Sequence, residues 1–97
     1  MTGDLTIEKD CHLFIEKTFE KFKRLDVLVA NAGVVSASRL ENMKMEDFDR
    51  VMNINCRVVV LMNKLVIPYL AETKGNIVNV SSVAGLRAVR IVVMIRL

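Results

Sequence analysis

The stretch Leu25-Asp-Val-Leu-Val-Ala-Asn-Ala-Gly33 decides how the rest of the chain is read. Val27, Leu28 and Val29 form an unbroken apolar run that stops at Asn31 and Gly33. A strand with one wet face alternates apolar and polar residues, so a continuous run implies a strand covered on both faces, as in a parallel sheet. The same signature returns later: Gly75 leads into Asn76-Ile-Val-Asn-Val80, which ends at Ser81 and Ser82, with Gly85 close behind. Parallel strands need a long crossover between them.

The intervening segment supplies one. From Met45 or Glu46 to Leu70 the residues Phe48, Met52, Asn55, Val59, Met62, Val66 and Tyr69 recur at helical spacing. Pro68 stands near the end, where a kink or termination is expected. Between the first strand and this helix, Val34 to Lys44 reads as a polar, irregular loop. Before the first strand, Ile7, Cys11, Phe14, Ile15, Thr18, Phe19 and Phe22 share one face of a helix running from about Ile7 to Arg24. Thr6 is placed to cap that helix, with Glu8 in its first turn favouring the dipole. The order helix, strand, helix, strand defines an α/β fold with parallel strands.

Composition excludes several classes of function. With 97 residues, 53% of them hydrophobic and 26% charged, the chain is one small domain or a piece of one, and not a disordered segment. The net charge of +3 arises late: residues 1–72 carry 10 basic and 11 acidic side chains, and after Glu72 only Lys74, Arg87, Arg90 and Arg96 are charged. Arginines without interleaved aromatics do not make a nucleic-acid surface. The longest apolar run, Val58 to Met62, is too short to span a bilayer, and the N-terminus lacks a signal pattern. Cys11 and Cys56 fall at apolar helical positions as buried thiols; without CxxC spacing they suggest neither a metal site nor a redox pair, and they fit a reduced, cytoplasmic compartment. His12 lies off the apolar stripe among charged neighbours, a surface residue.

In open parallel sheets ligands bind beyond the carboxyl ends of the strands. Asn31-Ala32-Gly33 marks one such end, where small residues admit a ligand to the backbone. Ser81-Ser82 marks the other, with a hydroxyl that can donate to a substrate oxygen or cap a turn. Asn55 is an amide on an apolar stripe and must find partners.

The segments GDLT (Gly3–Thr6), LDVLVANAG (Leu25–Gly33), VMNIN (Val51–Asn55) and GNIVNVSSVAG (Gly75–Gly85), in that order, resemble the short-chain dehydrogenase/reductase family from about Thr2 to Ala88. The resemblance implies a partial Rossmann-type, doubly wound parallel sheet. It implies hydride transfer between NAD or NADP and a small-molecule alcohol or carbonyl compound, in a protein that forms homo-oligomers. Asp4 and Leu5 match the segment that contacts the adenine. Asn31, Ala32 and Gly33 match the motif beside the adenosine ribose, although Ala30 precedes them where another asparagine is common. Asn55 matches the helix asparagine that holds a water of the proton relay, and Ser82 the serine that orients the substrate.

The family's general acid/base is a tyrosine with a lysine that lowers its pKa. By the family's spacing that tyrosine falls at position 95, where this chain has Ile95, and the lysine falls beyond Leu97. The chain's single tyrosine, Tyr69, is followed four residues later by Thr73 rather than lysine. The glycine-rich pyrophosphate turn of the family has no counterpart here. The expectation is therefore a partial dinucleotide-binding domain at 1–88, with open sheet edges and uncovered apolar faces, followed by a divergent, aggregation-prone tail at 89–97. Such a fragment is expected to be inactive alone and to self-associate. An alternative is a non-catalytic module that pairs with a full-length relative. A flavodoxin-like binding domain fits the four segments less well. The substrate and the choice between NAD and NADP are not written in this sequence.

Overall fold

A computed structural model describes residues 1–86. The tail at 89–97, and with it Ile95, lies outside the described residues. In chain order the elements are α1 (Glu8–Phe22), β1 (Val27–Ala30), a 3-10 turn (Leu40–Asn42), α2 (Met45–Met52), a π-helical turn (Asn53–Arg57), α3 (Val58–Thr73), β2 (Asn76–Asn79) and a second 3-10 turn (Val83–Gly85). The two strands pair in parallel, with Val27 opposite Asn76 and Ala30 opposite Asn79. The expected α/β architecture with a parallel pair is thus present.

The core forms where α1 and α3 lie on one face of the sheet. Cys11 and Ile15 from α1 meet Val58, Met62, Val66 and Leu70 from α3, with Leu25, Leu28 and Ile77 packed against them from the sheet side. Phe19 and Tyr69 stack between the helices with ring centroids 4.7 Å apart, a tilted arrangement within the favoured range. The opposite face of the sheet has no cover among the described residues: Val27, Val29, Val78 and Val80 are each about half exposed or more. The continuous apolar runs imply cover on both faces; here one face is covered.

Local structure departs from the sequence reading at several points. Thr6 does not cap α1. Its amide and hydroxyl both donate to the Asp4 carboxylate, at 2.8 and 2.7 Å, and Ile7 occupies the cap position without a side-chain bond. On α1 the expected apolar stripe is only partly buried, since Ile7, Phe14 and Phe22 remain exposed. Cys11 is buried as expected, but Cys56, in the π turn, is exposed.

That π turn joins α2 to α3, so residues 45–73 run as one helix with a single local widening. The buried register differs by one residue at three places: Val51, Val58 and Leu70 are buried where the simple period pointed to Met52, Val59 and Tyr69, while Met62 and Val66 are buried as expected. Pro68 does not end α3; five more residues continue it to Thr73. Pro68 and Lys64 one turn earlier are both exposed, so water can reach the carbonyl that the proline leaves without a donor. The 29-residue helix Met45–Thr73 is long and apolar enough to cross a membrane by length and composition alone. Its buried side chains instead pack on α1 and the sheet.

Candidate functional site

β1 and β2 end side by side, and hydrogen bonds direct the chain as it leaves each strand. The last rung of the sheet is the Val80 amide donating to the Ala30 carbonyl at 3.0 Å. Beyond it the two segments diverge, β1 into Asn31–Val35 and β2 into Ser81–Gly85. A cavity of about 400 Å³ opens between them, lined by Asn31, Ala32, Gly33, Val34, Val35, Asn55, Val59, Asn79, Val80, Ser81 and Ser82. Five of the seven residues singled out from the sequence therefore share one cavity.

Asn55 holds the first of these segments. Its Oδ1 accepts from the Val34 amide at 2.8 Å, and its Nδ2 donates to the Val34 carbonyl at 2.7 Å. One side-chain amide thus reads both backbone groups of one residue, which fixes the loop's height above the helix. Gly33 permits the approach, since a Cβ there would sit 3.3 Å from Asn55 Oδ1. The π turn matters to this contact because it lies around Asn55, and π turns widen a helix locally where function needs a side chain displaced.

Ser82 begins the second segment. Its Oγ accepts from the Ala84 amide at 3.2 Å and so caps the 3-10 turn Val83–Gly85. Capping uses a lone pair and leaves the hydroxyl proton available to donate. Ser82 itself is exposed toward the cavity opening.

Asp4 and Leu5 lie elsewhere. Leu5 lines a second cavity of about 380 Å³ together with Met1–Gly3, Asp10, Phe14, Leu28, Val29, Ala30, Asn31, Ala32 and residues of α3. Asn31, Ala32 and Val59 line both cavities. Asp4 is committed to the turn that precedes α1: its carboxylate accepts from Thr6 and its amide donates to Asp10 Oδ2 at 2.9 Å. The Thr6 bonds hold the Asp4 carboxyl below the usual carboxylate range. Tyr69, half-buried against Phe19, lies outside both cavities. Sequence reasoning did not single out Val34, Asn63 or Asn79. Val34 takes part through its backbone, which no side-chain pattern signals; Asn79 sits in an apolar strand, and that polar interruption was a usable cue.

The fold and this pair of strand ends define a class. The short chain dehydrogenase family model matches residues 1–94, and the chain belongs to that family. It is 45% identical over 73 residues to the 3-oxoacyl-(acyl-carrier-protein) reductase FabG of Thermotoga maritima, covering 74% of this chain and 30% of that protein. It is 39% identical over 84 residues to the 11-beta-hydroxysteroid dehydrogenase-like 4A protein of Arabidopsis thaliana, covering 86% of this chain and 28% of the relative. Among solved structures, ElxO with NADP bound superposes with a TM-score of 0.88 at 31% identity, over 99% of this chain and 40% of that one. The chain spans about a third of the length of the curated relatives it matches.

Proposed function

We propose that this chain is the central strand–helix–strand portion of an NAD(P)-dependent oxidoreductase acting on an alcohol or carbonyl compound, and that it is inactive by itself. The observation that carries the reading is the cavity beyond the paired strand ends, which gathers Asn31, Ala32, Gly33, Asn55 and Ser82. A second cavity, lined in part by the same Asn31, Ala32 and Val59, suits a ligand with two lobes, as a dinucleotide is. The solved neighbour with NADP bound supports the same cofactor class. When bound, the nicotinamide supplies the hydride acceptor or donor.

The chain's own groups have separable tasks. Ala32 and Gly33 present backbone without bulk, so a ligand can lie against it. Leu5 offers the second cavity an apolar wall for an aromatic base, while Asp4 shapes the turn beside it. Ser82 donates its hydroxyl proton to the substrate oxygen and orients the reacting carbon. Asn55, after clamping Val34, keeps one N–H and one lone pair with which to hold a relay water. No tyrosine reaches the cavity among the described residues, and the chain's single tyrosine is engaged with Phe19. Loss of a general acid removes about 10² to 10⁴ in rate, which supports inactivity of the chain alone.

Titration calorimetry with NADH and NADPH tests the proposal. The chain alone should show no saturable binding and no cofactor oxidation with a panel of carbonyl compounds. A longer protein that adds the family's N-terminal strand-helix-strand and its continuation past Ala88, with tyrosine and lysine, should recover both. In that protein Ser82→Ala should lower turnover by about 10²-fold or more with little change in cofactor affinity. Turnover by the unmodified chain, or an unaffected Ser82→Ala variant, overturns the assignment. The second reading, a non-catalytic module that pairs with a relative, draws on the exposed Val60 and Ile67 of α3; it gains if the lengthened protein stays inactive while the chain co-purifies with a full-length family member.

A further inference from the structure

Asn55 ties the exit of β1 to the helix below it, and a second asparagine stands eight positions further along the same helix. Asn63 on α3 donates through Nδ2 to Asn79 Oδ1 at 3.3 Å. Asn79 is the last residue of β2, lines the cavity, and precedes Ser82 by three residues. After it, the bonds that set the course of the chain are Val80 to the Ala30 carbonyl and the local cap of Ser82 on Ala84. Neither of them reaches α3, so the Asn63–Asn79 bond is the polar tie between this exit and the helix among the described residues.

The Oδ1 of Asn63 is shut off from solvent and has no hydrogen-bond partner among the described residues. An apolar residue at this place would avoid that cost, and a buried polar atom left unpaired calls for a reason. The reason supplied by the geometry is the other end of the amide. With Oδ1 turned inward, Nδ2 points to Asn79, so the one bond this side chain makes is spent on the strand exit.

We propose that Asn63 is a positioning residue: through Asn79 it holds the exit of β2, and with it Ser82, against α3, as Asn55 holds the exit of β1 through Val34. One helix thereby sets the relative height of both strand ends and the width of the cavity between them. The consequence for catalysis rests on the reading of Ser82 as the substrate-orienting hydroxyl; the latch itself does not.

Amide hydrogen exchange on the 97-residue chain, followed by NMR, tests the latch without cofactor or turnover. In Asn63→Leu the amides of Val80 and Ala84, which report the last rung and the Ser82 cap, should exchange about five- to tenfold faster, while those of Met62 and Val66 in α3 stay within about twofold. Asn79→Leu, which removes the bond from the strand side, should accelerate the same two amides, and Asn63→Leu combined with Asn79→Leu should add less than about twofold to either single variant. Asn79→Leu decides the matter if Asn63→Leu fails to fold. Equal acceleration throughout α3 and β2 would mean a general loss of stability and overturn the proposal, as would unchanged exchange at Val80 and Ala84 or fully additive effects of the two substitutions. Should Ser82→Ala prove harmless in the lengthened enzyme, the oxidoreductase reading of Ser82 falls while the exchange result stands.

Discussion

At Asn55 the amide satisfies both backbone groups of Val34 in a half-buried setting. Removing it leaves two peptide groups unpaired, so Asn55→Ala should cost about 1 to 3 kcal/mol in a denaturant titration and speed amide exchange at Val34. Unchanged stability and exchange would show that water replaces the clamp at no cost. Asp4 allows a prediction in pH. Its folded pKa lies below the ordinary carboxylate value because Thr6 donates twice to the ionised form. Its contribution to stability is therefore present above the unfolded pKa of about 4 and is lost as pH falls through the lowered folded value. Asp26, lowered chiefly by its hydrogen bonds from Arg24, acts with the same sign. Asp4→Asn should flatten the acid limb of the thermal-midpoint profile below about pH 4; a profile parallel to that of the parent chain would rule Asp4 out.

At the scale of elements, the helix ends were harder to place than the helices. Gly75 has the residue type expected in the left-handed position after a helix, yet Lys74 takes that position, with φ 54°. Gly75 is needed for another reason: a Cβ on it would collide with the Asp26 carbonyl, where β2 begins alongside the start of β1. Lys74→Gly should therefore stabilise the chain by up to about 1 kcal/mol. Gly75→Ala should destabilise it by about 2 kcal/mol. The two thermal midpoints moving in the same direction would refute this division of roles. The existence and type of α1, β1, the long helix and β2 were legible because each carries an apolar run of diagnostic period. The π turn was not: its polar Asn53 and Asn55 interrupt the stripe, but whether a helix widens there depends on what Asn55 reaches, and Val34 lies 21 residues away in sequence.

For the whole molecule, the valine face that has no cover among the described residues is the dominant physical fact. Val27, Val29, Val78 and Val80 stand exposed on one side of a two-stranded sheet, and parallel sheets in general are covered on both sides. The chain should bind a hydrophobic dye and sediment as concentration-dependent species, and Val29→Lys combined with Val78→Lys should reduce both signals. A sharp, concentration-independent monomer in analytical ultracentrifugation would contradict this. The same exposure explains why the sequence reading overestimated burial. Apolar runs report the environment a strand is suited to, and Phe14 and Phe22 on α1 likewise remain exposed for want of an apolar cover among the described residues.

By itself the sequence determined the α/β order, the parallel pairing of two apolar strands and the residue types at their carboxyl ends, because periodicity and strand-end chemistry are local properties. The four ordered segments carried the family. Only the tertiary structure decided that Asn55 grips Val34, that Asn63 reaches Asn79, and that Asp4 rather than Thr6 shapes the entry to α1. It also decided that Cys56 faces solvent while Cys11 is enclosed. Each of these depends on which groups meet across the fold, and a hydrogen bond's partner is chosen by distance in space, which spacing along the chain does not encode.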